Sequence, residues 1–184
     1  VLEPYEDYFG EAPKWNKVTF RSIPEDSTRV SELLTGGVDI AANIPPEDWE
    51  RIEGDDAVKL ADSPSQRVMM LVLRTAENEV TGDPKVREAI DLAIDNEAIV
   101  ENLSNGAASP TRTRVTPGNN GANEDLYGQS NYDPERAIEL LEEAGYGDGL
   151  EISFDAPSGR YLKDRETAEL IQAMLSEVGI TVDL

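Results

Sequence analysis

Apolar positions along the chain change period several times, and each change predicts an element. In "KVTFRSI" (17–23) Val18 and Phe20 alternate with polar neighbours toward Ile23, which predicts a strand. "PEDSTRVSELLTGG" then offers Asp26 or Ser27 as N-cap, an apolar stripe of Val30, Leu33 and Leu34, and Gly36-Gly37 as a stop. "VDIAAN" (38–43) follows as a second strand, so a strand-helix-strand unit with tight connections is expected. The same grammar returns at the far end. "LEISFDAP" (150–157) reads as a strand, the next segment as a helix with Ala168, Ile171, Met174, Leu175 and Val178 on one side, and "ITVDL" as a strand after Gly179.

Between these units, "SPSQRVMMLVLRT" (63–75) contains the continuous apolar run Val68 to Leu73, the pattern of a strand buried on both faces. "DPKVREAIDLAID" places Asp83 as N-cap and Pro84 at the first helical position, with Val86, Ile90, Ala93 and Ile94 inward. Asp95 caps a second short helix that ends near Gly106, and a polar loop rich in Gly, Pro, Asn and Thr occupies 105–131. A second Asp-Pro start, Asp133-Pro134, opens a helix that stops at Gly145. Helices and strands alternate, so the expected class is α/β or mixed α+β, with a boundary near residues 62–76.

Charge changes the picture. The chain holds 38 acidic against 16 basic residues, a formal net charge of −22 in 184 residues. The clear apolar periodicity argues against disorder, and the charge would repel a phosphate backbone, so no nucleic acid is expected as a partner. Lysines are few (Lys14, Lys17, Lys59, Lys85, Lys163), and the acids are spread over polar faces. That suggests a surface adapted to concentrated salt, where charges are screened within roughly 3 Å at 1 M. The chain has no Cys and no His, which excludes thiol catalysis, His-based triads and the common zinc motifs. No Walker A, G-x-G-x-x-G or EF-hand spacing occurs, so no cofactor or metal is implied. No apolar run is long enough to span a membrane, so the segment reads as soluble. Opening on Val1 and closing on "ITVDL", it also reads as a cut segment of a longer protein.

Against this acidity, "SGRYLKDRE" (158–166) gathers Arg160, Lys163 and Arg165. Ser158-Gly159 forms a turn, and Arg160 and Tyr161 stand just before or at a helix start, where unpaired N–H groups, the helix dipole and a guanidinium all favour an anion. Lys163 and Arg165, mixed with Asp164 and Glu166, read as a solvated face. Asn43, Ile44 and Pro45 lie at the carboxyl end of an expected strand, where open α/β sheets gather ligands, and Trp49 reads as core. Arg67, beside the apolar run, either faces a cleft or pairs with a carboxylate. Neighbouring acids such as Asp55-Asp56 and Glu142-Glu143 are coincidences of composition rather than a catalytic pair.

Taken in order, "YFGEAPKWNKVTFRSIPEDSTRVSELLTGGVDIAANIPPED", "DPKVREAIDLAIDNEAIVENL", "YDPERAIELLEEAGYGDG" and "GRYLKDRETAELIQAMLSEVGITVDL" resemble the extracytoplasmic solute-binding proteins of ABC transporters, the peptide/nickel-binding family 5. The resemblance points to a halophilic archaeal member. It implies a periplasmic-binding-protein-like fold present as incomplete parts of two lobes. Residues 1–72 would end the first segment of lobe I and 73–184 would open lobe II, with Val68 to Leu73 crossing between them. The implied function is capture of a peptide or similar small solute outside the cell and delivery to ABC permease subunits, without enzymatic chemistry. The implied parent is a membrane-anchored lipoprotein on the extracellular face of the membrane, periplasmic in a diderm bacterium. Arg160 matches the position where dipeptide-binding relatives hold a ligand carboxylate. Tyr161 would line the same pocket, Asn43 and Ile44 would approach from the first lobe, and Arg67 is a further candidate. The acid that such relatives use for a peptide amino group would lie beyond Leu184, so the substrate stays open among peptides, nickel complexes, oligosaccharides and other solutes. Alternatives are a solute-sensing domain of a signalling receptor and an acidic hydrolase.

Overall fold

A computed structural model describes residues 1–63, 65–76 and 79–184. The carboxyl-terminal half carries the main core. The helix α3 (Pro84–Ala93) is capped by Asp83, whose side chain accepts from the Lys85 N–H at 2.8 Å, with Pro84 at the first position. The helix α4 (Asn96–Ser104) is capped by Asp95 in the same way, and α5 (Pro134–Glu143) by Asp133. Asp-Pro thus starts two helices here for one physical reason: the carboxylate satisfies an orphan N–H while proline supplies a helical φ and lacks the donor that would be orphaned. At the other end of α5 a Schellman closure forms, with Tyr146 N–H donating to Leu141 O at 2.8 Å and Gly145 N–H to Glu142 O at 3.0 Å. It needs the φ of 90° that Gly145 adopts without steric cost.

The inward residues of α3 (Val86, Ala89, Ile90, Ala93) pack along Ala137, Leu140 and Leu141 of α5. Below them lies a parallel pair, β1 (Leu150–Ser153) and β2 (Ile180–Asp183), in register Leu150 to Ile180 and Ile152 to Val182. The helix α6 (Asp164–Glu177) connects the two strands and adds Ala168 and Leu175 to the buried set. The far-end strand-helix-strand unit therefore forms as expected, and each fully buried Ile or Leu here stabilises by about 1.5–3 kcal/mol over exposure.

The first unit differs. The helix α1 (Asp26–Leu34) buries Val30 and ends on Gly36, but its flanks are not a sheet. Among the described residues Val18 makes only an isolated antiparallel bridge with Leu2, and 38–43 joins no strand. Phe20 and Ile40 are correspondingly 76% and 82% exposed. In place of a ladder, Arg29 of α1 donates to the carbonyls of Ile23 at 3.0 Å and Asn43 at 2.6 Å, pinning the two flanks to one side chain. After this come a short 3-10 turn, Pro46–Asp48, and helix α2 (Trp49–Glu53), which buries Ile52.

The expected doubly buried strand at 68–73 is also corrected. This segment joins no strand among the described residues, and Met69, Met70 and Val72 are 51%, 45% and 78% exposed. Only Leu71 and Leu73 rest on the core, because a continuous apolar run is buried on both faces only if layers lie on both sides of it. Pro64, within the same 63–75 stretch and the 62–76 boundary, lies outside the described residues. The loop 105–131 is present, pinned by a Thr111–Tyr127 bridge and a short 3-10 turn at Glu124–Leu126.

Candidate functional site

The turn 158–163 connects β1 to α6, and its shape is dictated by one acid. Asp164, the first residue of α6, is only 5% exposed. Its Oδ1 accepts from the backbone N–H of Gly159 at 3.0 Å and Arg165 at 2.8 Å, and its Oδ2 from those of Arg160 and Tyr161 at 2.9 Å each. Burial opposes ionisation of this carboxyl, but the four backbone donors outweigh it and hold its pKa below the usual Asp value. The helix therefore starts later than expected, at Asp164, and the N–H groups that the sequence offered to an incoming anion are already filled by the chain's own carboxylate. That corrects one half of the Arg160 argument and leaves the guanidinium half.

Two residues of the turn meet a third expected residue from far upstream. The Arg160 guanidinium lies 5.2 Å from the centre of the Tyr161 ring, and that of Arg67, ninety-odd residues earlier, lies 5.3 Å from the same ring. Guanidinium groups favour the negative face of an aromatic ring, so one tyrosine ring accommodates both cations. Neither arginine has a carboxylate within 4.0 Å among the described residues, although acids outnumber bases more than twofold. Of the two options for Arg67, pairing with a carboxylate is not seen among the described residues.

Lys163 and Arg165 separate. Arg165 pairs with Glu169 at 2.8 Å, one turn along α6, the solvated helical pair expected. Lys163 instead reaches Glu47 of the 3-10 turn at 2.6 Å, and contacts Glu166 at 3.6 Å. The hydrogen bond to Glu47 raises the Lys163 pKa despite burial; for Glu47, burial opposes ionisation but the lysine wins and lowers it. This is the sole hydrogen bond or ion pair joining residues 1–63 to 79–184 among the described residues. It ties the segment holding Asn43 and Ile44 to the turn holding Arg160.

Asn43 itself takes the left-handed conformation, φ 55°, and its exposed side chain is left available while its carbonyl is engaged by Arg29. Ile44 is half-buried and its carbonyl accepts from Trp49 Nε1 at 3.2 Å, so Trp49 is a structural strut. The neighbouring acids do not converge. Asp55 caps a local turn through Ala57 N–H, and Glu143 is held by Lys85 at 2.9 Å and Arg136 at 3.0 Å. Among the described residues no group of three or more acidic side chains is placed to hold a metal ion, and no helix is long and apolar enough to cross a membrane. Sequence reasoning missed Arg29, Glu47 and Asp164. Only the last left a signal, an acid in the first turn of a helix just after a Ser-Gly turn.

Residues 1–184 match the profile described as bacterial extracellular solute-binding proteins, family 5, middle. The glutathione-binding protein GsiB of Shigella flexneri serotype 5b is 32% identical over 168 residues, covering 91% of this chain and 32% of GsiB. The nickel-binding periplasmic protein of Escherichia coli K12 is 30% identical over 195 residues, covering 97% of this chain and 37% of that protein. This chain thus spans about a third of the length of these curated relatives. The ABC transporter-associated periplasmic binding protein DppA from Helicobacter pylori, solved with the peptide STSA, superimposes with a TM-score of 0.80 at 24% identity, over 98% of this chain and 35% of DppA. The fold is accordingly that of periplasmic binding proteins, mixed in helix and strand.

Proposed function

The chain belongs to the bacterial extracellular solute-binding proteins of family 5, and we propose that it forms part of a receptor that captures a small peptide or peptide-like solute bearing a carboxylate. The observation that carries this reading is the Arg67–Tyr161–Arg160 cluster: two guanidinium groups on one aromatic platform, without carboxylate partners among the described residues. A ligand carboxylate is gripped bidentately by Arg160, Arg67 supplies the second positive charge, and Tyr161 lines the same pocket as the ring that holds both guanidinium groups. Asn43 and Ile44 approach from the segment that Glu47 ties to the turn. Relatives named for binding glutathione and a peptide support the ligand class, since both ligands carry free carboxylates.

Residues 1–72 belong to the end of the first segment of one lobe and 73–184 to the start of the other. A ligand touching both lobes favours the closed state, because only that state satisfies both sets of contacts. The closed receptor delivers its solute to ABC permease subunits, making and breaking no bond. It works outside the cell or in the periplasm, held to the membrane by an anchor, and its acidic surface suits concentrated salt. Calorimetric titration of the full-length protein with glutathione and a panel of di- to tetrapeptides, in high salt, tests this. Saturable binding of at least one is expected; no heat with any of them, alongside binding of an uncharged sugar, would overturn the peptide reading.

A further inference from the structure

We infer that Asp164 is a positioning residue for solute recognition: its buried carboxylate, by accepting four backbone N–H groups, fixes the turn that aims Arg160 and Tyr161 at the ligand. The inference rests on the proposed solute site. Asp164 is the sole buried charged side chain among the described residues, yet it makes no ion pair. Its partners are all main-chain donors, from Gly159, Arg160, Tyr161 and Arg165. A concave set of N–H groups at a helix start is a ready anion site. Filling it internally has two consequences. The turn keeps one shape whether or not solute is present, so Arg160 and Tyr161 are ordered before binding rather than by it. And the ligand anion is excluded from the backbone cradle, so at this turn recognition depends on the bidentate geometry of the guanidinium groups.

The atoms predict how substitutions act. Each carboxylate oxygen accepts two of the four bonds. Asp164→Asn keeps one such oxygen but sets an NH2 group against the other pair of N–H donors, so half the cradle becomes repulsive. Asp164→Ala empties it, and formate can enter as a replacement carboxylate.

The test uses the full-length protein, with amide hydrogen exchange at residues 159–161 and 165 and titration with glutathione as the two readouts. Exchange at these amides is expected to speed up in Asp164→Asn and Asp164→Ala, with glutathione affinity falling about tenfold, the loss of one charge-assisted contact. Formate should slow exchange and restore affinity in Asp164→Ala but not in Asp164→Asn, a result that a general loss of packing would not give. Asp164→Asn added to Arg160→Ala should weaken binding no further than Arg160→Ala alone. Native affinity with a loosened turn, or fully additive losses, would overturn the inference. If the wild type ignores glutathione and peptides, the functional reading fails separately, while unchanged exchange in both variants would still sink the role given to Asp164.

Discussion

Lys163 combines a backbone cost with an ionic gain, and the two can be separated by choice of substituent. Its φ and ψ are 56° and 26°, a left-handed conformation that costs a residue with a Cβ roughly 1–2 kcal/mol relative to glycine. The conformation persists because the Lys163 carbonyl accepts from Thr167 N–H at 2.9 Å and Thr167 Oγ1 at 2.7 Å, starting α6, while Nζ holds Glu47 at 2.6 Å. The Glu47 side chain is 55% exposed, so the pair is worth only about 0.2–1 kcal/mol. Lys163→Ala loses the pair and keeps the strain, and should destabilise by about that amount. Lys163→Gly loses the same pair but relieves the strain, offset by about 0.4–1 kcal/mol from the greater freedom of unfolded glycine. Glycine should therefore be more stable than alanine by on the order of 1 kcal/mol, roughly 1 °C in Tm for a full-length protein about three times as long as this chain. Scanning calorimetry of the full-length wild type, both variants and their combinations with Glu47→Gln reads this out. An alanine variant as stable as the glycine variant would mean that residue 163 is not left-handed. Strict additivity of Lys163→Ala with Glu47→Gln would mean that the tie between the two segments does not form.

Further expectations follow from other parts of the molecule. Ile90, 1% exposed between α3 and α5, should cost about 2–5 kcal/mol when changed to Ala, read by urea denaturation; a cost under about 1 kcal/mol would contradict the packing. Because the Asp164 pKa is lowered on folding, its stabilisation is complete above the ordinary Asp value of about 3.9 and is lost as pH falls through the lower folded value. Amide exchange at 159–161 should therefore stay slow at pH 5 and quicken only in stronger acid, and a transition above pH 5 would oppose the assigned cause. With a net charge of −22, Tm should rise with salt toward 1 M, where screening falls to roughly 3 Å; a Tm that falls with salt would remove the salt-adapted reading of the surface.

Local signals were legible at most helix ends, where one segment contains both the pattern and its partner, but not at the start of α1, whose N-cap is Glu25 without a side-chain hydrogen bond rather than Asp26 or Ser27. Asp83, Asp95 and Asp133 cap their helices, Gly145 closes α5, and α3 buries the stripe read from its period, because each depends on residues a turn apart. Sheet membership was not legible in the same way. Residues 17–23 and 38–43 have strand-like patterns, but pairing needs a neighbour that the period cannot supply, and Arg29 links these flanks instead. The run at 68–73 failed likewise, since burial on both faces is a property of layers and not of the run. Of the cluster on Tyr161, Arg160 and Tyr161 stood out in the sequence by a turn before a helix, and Arg67 by an odd positive charge. Their meeting on one ring was not legible, because nothing local relates residue 67 to residue 161. Asp164 was read as one of a set of mixed surface charges; its burial follows from how the turn folds back over it.

The central claim, that Arg160 and Arg67 hold a solute carboxylate, is tested most directly by comparing one bound peptide with its C-terminal amide on the wild type, Arg160→Ala and Arg67→Ala proteins. Amidation should cost the wild type about 1.5–3 kcal/mol, roughly a 10- to 150-fold loss of affinity, and cost Arg160→Ala much less, because the arginine that sensed the charge is gone. Arg67→Ala should fall between. If amidation weakens binding equally in all three proteins, the carboxylate is bound elsewhere, and the cluster on Tyr161 is not the recognition site.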